Sequence, residues 1–137
     1  MSNERTKILV VDDDLEATRM LKFGLEVAGG YEVREENDSR CALTVAREFR
    51  PDLIVLDVCM PEMDGTELAL RFRHDRLFHT TPIVFLTSIL SREEAGAAGL
   101  ARGGTHFMAK PINLRELMAH IETAVPVMAS QSRTFPG

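Results

Sequence analysis

ILVVDDDLEA, residues 8–17, is the stretch that decides how this chain folds. Four apolar residues, three of them β-branched, run straight into three aspartates. An apolar run of that length suits a strand covered on both faces, as in a parallel sheet with helices on either side. Similar runs follow at KILVV (7–11, which contains the first), YEVRE (31–35), DLIVL (52–56), PIVFL (82–86) and THFMA (105–109).

Helical patterns separate these runs. Ala17, Met20, Leu21, Leu25 and Ala28 recur at three- and four-residue spacing, as do Ala42, Val45, Ala46 and Phe49. Leu114, Leu117, Met118, Ile121, Ala124 and Val125 form the clearest stripe. Ser91 with Glu94, Asn113 with Glu116 and Asp64 with Glu67 have capping-box spacing, and Gly29-Gly30 supplies a helix stop. The glycine-rich segment REEAGAAGLARGG, ending at Gly104, predicts a short, weak fourth helix. The order is therefore βαβαβαβαβα, which implies parallel pairing through right-handed crossovers and helices on both faces.

The chain has 137 residues, 45% of them hydrophobic and 27% charged, within the range of one domain that needs no staples. We expect a short N-terminal extension (1–6), a folded domain (7–125), and a tail (126–137) reading as a disordered end or the start of a linker. The net charge of −5 argues against a broad nucleic-acid surface, and RFRHDR (71–76) reads as a basic helix end. The start MSNERTK has no apolar core of a secretory signal, and apolar runs of four residues are far too short to span a membrane. A cytoplasmic location is expected. Cys41 and Cys59 lack metal-ligand spacing and read as small buried thiols.

In an open parallel sheet the ligand crevice lies beyond the carboxyl ends of the strands. There this chain carries Asp12-Asp13-Asp14, Asp57, Thr87-Ser88 and Lys110-Pro111. A strand order of 2-1-3-4-5 sets the first, third and fourth strands side by side. Asp14 is well placed to cap the first helix. Asp12, Asp13 and Asp57 crowded together must take up protons or hold a cation, because two like charges about 4 Å apart cost about 4 kcal/mol at an effective dielectric near 20. Hard oxygen donors without His or Cys suit Mg²⁺, with Lys110 placed to neutralise the remaining carboxylate or a phosphoryl oxygen and Thr87 to donate a hydrogen bond to that oxygen.

ILVVDD, PDLIVLDVCMPEMDG, PIVFLTS and FMAKP stand in the order and spacing of a known family. From about Lys7 to Val125 the chain resembles a response-regulator receiver domain of two-component signalling, similar to the chemotaxis regulators. The resemblance implies a doubly wound (βα)5, flavodoxin-like α/β sandwich with a five-stranded parallel sheet in the order 2-1-3-4-5. It implies that Asp57 accepts a phosphoryl group from a sensor histidine kinase or histidine phosphotransfer protein. Asp12, Asp13, Asp57 and the backbone carbonyl of Cys59 would bind Mg²⁺, for which Mn²⁺ can substitute. Thr87 and Lys110 would contact the phosphoryl group, Thr87 and Phe107 would act as the switch pair, and the Lys110–Pro111 bond would be cis.

The same resemblance places Cys59 and Ile89 where related domains often carry polar groups that orient attacking water, so slow autodephosphorylation is expected. Phe107 lacks the hydroxyl of a Tyr, which favours an inward ring. The expected partner is a downstream protein or a fused output domain, reached through the surface of the fourth helical segment, the fifth strand and the last helix; that surface could also pair two copies. The domain is expected to touch neither nucleic acid nor membrane, and to be a phosphoacceptor rather than an enzyme with an external substrate. Two alternatives remain open: a receiver-like binding module that is not phosphorylated, and a Mg²⁺-dependent aspartyl phosphatase. The second wants an acid two residues after Asp57, where Cys59 stands. A flavin-type phosphate loop is excluded by the acidic DDDLE, and neither GxxxxGK nor GxGxxG occurs.

Overall fold

The computed structural model describes residues 5–58, 60, 63, 65–87 and 105–125. Within them lie β1 (Lys7–Val11), α1 (Leu15–Gly29), β2 (Glu32–Glu36), a single 3-10 turn (Ser39–Cys41), α2 (Ala42–Phe49), β3 (Leu53–Asp57), α3 (Gly65–Arg73), β4 (Ile83–Thr87), β5 (Thr105–Ala109) and a C-terminal helix (Leu114–Ala124). The predicted fourth helix, with Ile89 and the Ser91–Glu94 pair, lies outside the described residues, as do Cys59 and Asp64.

All five strands pair in parallel in the order β2-β1-β3-β4-β5, as the sequence predicts. Strand alternation sorts the core into two layers. On one face Leu9, Val11, Ile54, Leu56, Ile83, Phe85 and Phe107 pack under Ala42, Ala46 and Phe49 of α2 and Leu68 and Phe72 of α3. On the other, Ile8, Val10, Leu53, Val55, Val84, Leu86 and Met108 pack under Leu21 and Leu25 of α1 and Leu117 and Ile121 of the C-terminal helix. The interior strands β1, β3 and β4 are apolar except for one terminal residue each (Lys7, Asp57 and Thr87), because both sheet faces are covered.

Three strands start one residue later than their apolar runs suggest. Tyr31 donates its N–H to Leu25 and so belongs to the end of α1, where Gly30 takes the left-handed conformation at φ 69°. Asp52 meets the start of β1 just ahead of β3, its N–H donating to the Lys7 carbonyl at 2.8 Å and its carboxylate accepting the Lys7 N–H at 2.9 Å, and Pro82 has no N–H to donate. Cys41 also departs from expectation: it is exposed, because the 3-10 turn points it to solvent one residue before Ala42 turns inward.

The basic stretch 71–76 does end a helix. Arg71 pairs with Glu67 within α3, and Asp75 turns to Arg47 of α2 at 2.6 Å. Among the described residues no helix is long and apolar enough to cross a membrane.

Candidate phosphoryl and metal site

Sheet register brings the site together. Val11 pairs with Leu56, so Asp12 follows β1 beside Asp57 at the end of β3. Thr87 pairs with Ala109, so Lys110 follows β5 just beyond Thr87, and its N–H donates to the Thr87 carbonyl at 2.8 Å. Carboxylate oxygens of Asp12, Asp13 and Asp57 all lie within 4.8 Å of one another. Four strand ends thus deliver three acids, one hydroxyl and one ammonium to a single pole of the sheet.

Asp12 and Asp57 are buried, whereas Asp13 is exposed. The Lys110 ammonium reaches both buried acids, at 3.1 Å from Asp57 Oδ1 and 3.3 Å from Asp12 Oδ2. Burial, reinforced by the Asp57 charge, pushes the Asp12 carboxyl above its ordinary range, against the opposing pull of the Asp14 N–H and Lys110. Burial also opposes the Lys110 charge, but hydrogen bonds and charge from Asp57 and Asp12 outweigh it and raise its pKa.

One ammonium cannot neutralise three carboxylates, and the donors are hard oxygens. That set fits Mg²⁺ or Mn²⁺, which take a few carboxylates and fill their other positions with water.

Asp14 stands apart from this chemistry. Its side chain accepts from the N–H groups of Glu16 and Ala17 and caps α1. Asn113 caps the C-terminal helix in the same way, accepting from Glu116. Thr87 is buried, and strand alternation puts it on the same sheet face as Phe85. Phe107, the register partner of Phe85, lies inward at 8% exposure with its ring centre 4.9 Å from that of Phe85. The Lys110–Pro111 peptide is cis. Cys59 and Ile89 fall outside the described residues, so their expected roles stay as sequence readings.

The family model of the response regulator receiver domain matches residues 8–122. The chain belongs to the response-regulator receiver family. This receiver is 36% identical over 130 residues to the phosphate regulon transcriptional regulatory protein PhoB of Pseudomonas aeruginosa, covering 95% of this chain and 53% of that protein. It is 39% identical over 116 residues to the alkaline phosphatase synthesis transcriptional regulatory protein PhoP of Bacillus subtilis, covering 85% and 47%. The chain thus spans about half the length of these curated relatives. Among solved structures it is similar to the Vibrio cholerae chemotaxis protein CheY4, with TM-score 0.78 and 36% identity over 88% of this chain and 99% of that one.

Two receiver residues near the site carry no role in the sequence reading. Gly65 opens α3 against the backbone of the acidic strand end: its N–H donates to Val58 O at 2.8 Å, and a Cβ there would overlap the Asp57 carbonyl oxygen and stand 3.0 Å from Val58 Cα. The PEMDG motif contains this glycine, but only the fold shows what it faces. Asn37 is the other, and no local pattern marks it.

Proposed function

We propose that this receiver accepts a phosphoryl group on Asp57 from a phosphohistidine of a sensor histidine kinase or phosphotransfer protein, in a Mg²⁺-dependent reaction. One observation carries the reading: a buried carboxylate at a strand end has an ammonium at 3.1 Å and two further acids within 4.8 Å. Asp12, Asp13, Asp57 and the Cys59 carbonyl would hold the ion. Bound Mg²⁺ supplies neutralisation of the charge gathered between the attacking carboxylate and the transferring oxygens.

The remaining work falls to side chains. An Asp57 oxygen attacks phosphorus, the phosphorus–nitrogen bond of the donor breaks, and its electron pair stays with the departing imidazole. Lys110 orients the Asp57 carboxylate and then pairs with a phosphoryl oxygen. Thr87 donates its hydroxyl to another of those oxygens. Drawing Thr87 inward rewards the buried position of Phe107, so phosphorylation shifts a population between two arrangements. The altered surface comprises the glycine-rich stretch, β5 and the C-terminal helix. It would regulate a downstream protein or a fused output domain in the cytoplasm, or pair two copies.

Incubation with acetyl phosphate and Mg²⁺ tests this. One labile phosphoryl group per chain is expected, and none on Asp57→Asn. Uptake that persists in Asp57→Asn, or no uptake in the wild type, overturns the assignment. Slow loss of the group is expected too, and Ile89→Glu should shorten its lifetime; equal lifetimes remove the part given to position 89.

A further inference from the structure

The peptide linking Asp12 to Asp13 joins the two acids at the metal end of the site, and its orientation is held from outside the site. The Asp12 carbonyl accepts from Asn37 Nδ2 at 2.7 Å. A peptide unit is rigid and planar, so fixing that carbonyl fixes the Asp13 N–H and the direction in which Asp13 leaves β1. The same Asn37 nitrogen donates to Thr18 Oγ1 at 3.0 Å. Thr18 is fully buried in the first turns of α1, and its hydroxyl lies 3.1 Å from both Glu35 Oε1 and the Leu15 carbonyl. The Asp12 N–H is held as well, donating to Glu36 O at 3.2 Å.

From the loop after β2, Asn37 thus ties the end of β1 to α1, spending both amide hydrogens. We infer that Asn37 is a positioning residue that sets the Asp12–Asp13 peptide for divalent-cation binding. It does so with no contact of its own to the cation or the phosphoryl group.

Physical reasoning favours this over a plain turn contact. Asp13 is exposed, so little packing fixes its carboxylate, whereas Asp12 is locked by Lys110 and the Asp14 N–H at 3.0 Å. Removing the Asn37 amide therefore frees chiefly Asp13. Outer groups that orient metal ligands typically cost about 10–100-fold in metal affinity when lost.

The inference rests on the proposed Mg²⁺-dependent reading, and its test is separable from it. Mg²⁺ affinity is measured by calorimetry on unphosphorylated wild type, Asn37→Ala, Asn37→Leu (which keeps volume without a donor) and Arg47→Ala, a control at the α2–Asp75 contact. Phosphorylation by acetyl phosphate is then followed across Mg²⁺ concentrations.

The expected result is affinity weakened about tenfold or more in both Asn37 variants and unchanged in Arg47→Ala. The rate at saturating Mg²⁺ should return close to wild type. Affinity within about twofold of wild type in the folded Asn37 variants, an equal loss in Arg47→Ala, or no Mg²⁺ binding by the wild type overturns the inference. Wild type that binds Mg²⁺ but takes no phosphoryl group sinks the functional reading and leaves the calorimetric comparison to decide the role of Asn37.

Discussion

The ammonium of Lys110 stands 3.1 Å from Asp57 and faces Asp12 from the same position at 3.3 Å, so one cation serves two buried carboxylates. Removing one partner of a buried ion pair costs about 3–5 kcal/mol, and Lys110 is partly exposed, so a discounted loss of about 2 kcal/mol is expected for Lys110→Met in metal-free buffer. Mg²⁺ should raise the Tm of the variant by more than that of wild type, because the ion replaces missing positive charge. Urea and thermal unfolding with chelator and with saturating Mg²⁺ check this. Equal Mg²⁺ increments in the two proteins contradict it.

Gly65 meets the backbone of Asp57 and Val58 where a side chain would begin. Backbone cannot rotate away as a flexible side chain can, so Gly65→Ala must shift the start of α3 or the strand end that carries Asp57. A stability loss of about 1–3 kcal/mol is expected, together with slower uptake from acetyl phosphate. Alanine is the better helix former, so an exposed helix start would gain from the same change. A stable variant with wild-type uptake would show that the contact yields easily.

His106 of β5 and His120 of the C-terminal helix lie with ring centres 5.2 Å apart and planes inclined at 60°. Burial first, and the His120 charge second, lower the His106 pKa below its ordinary 6.5. The unfolded chain therefore binds more protons than the fold in the window just below pH 6.5, so stability rises with pH through that window and is complete above it. Stability from this group is lost as the pH falls from 6.5 through the lower folded value. Denaturation at a series of pH values should show a shallower slope there for His106→Gln, with a smaller effect for His120→Gln. Identical slopes in wild type and His106→Gln exclude the pairing as a source of pH dependence.

Phe107 packs its ring against that of Phe85, with centres 4.9 Å apart, an apolar contact that suits a hydrocarbon ring better than a phenol. A buried hydroxyl without a partner costs about 1–3 kcal/mol, enough to favour turning the ring of Phe107→Tyr outward. In a Tyr31→Phe background, which removes the single native tyrosine, emission from that ring should be readily quenched by iodide. Phosphorylation should then protect it. A ring already shielded before phosphorylation counts against the outward shift.

Much of this was legible before any coordinates. The β-branched runs and helical stripes give the alternation, and alternation gives parallel strands, because no short connection can join parallel neighbours. The strand-end residues Asp12, Asp13, Asp57, Thr87 and Lys110 follow from the rule that parallel sheets bind at their carboxyl ends. Apolarity places three strand starts one residue early, because it does not reveal which N–H a cap or a neighbouring side chain has taken. Cys41 is exposed where its residue type predicts burial, since a turn's direction depends on backbone angles that composition does not encode.

Residue order and periodicity suffice for the succession of elements, the apolar faces and the kinds of group gathered at one pole, because periodicity and residue chemistry are local properties. Folding in three dimensions is what makes Lys110 bridge Asp12 and Asp57, sets Gly65 on the Asp57 backbone, and brings Asn37 onto the Asp12 carbonyl. The Lys110 and Asn37 contacts join residues distant in the chain, Gly65 meets Asp57 only through the path of the connecting loop, and all of these distances follow from strand register and helix packing. No short stretch of sequence carries that information.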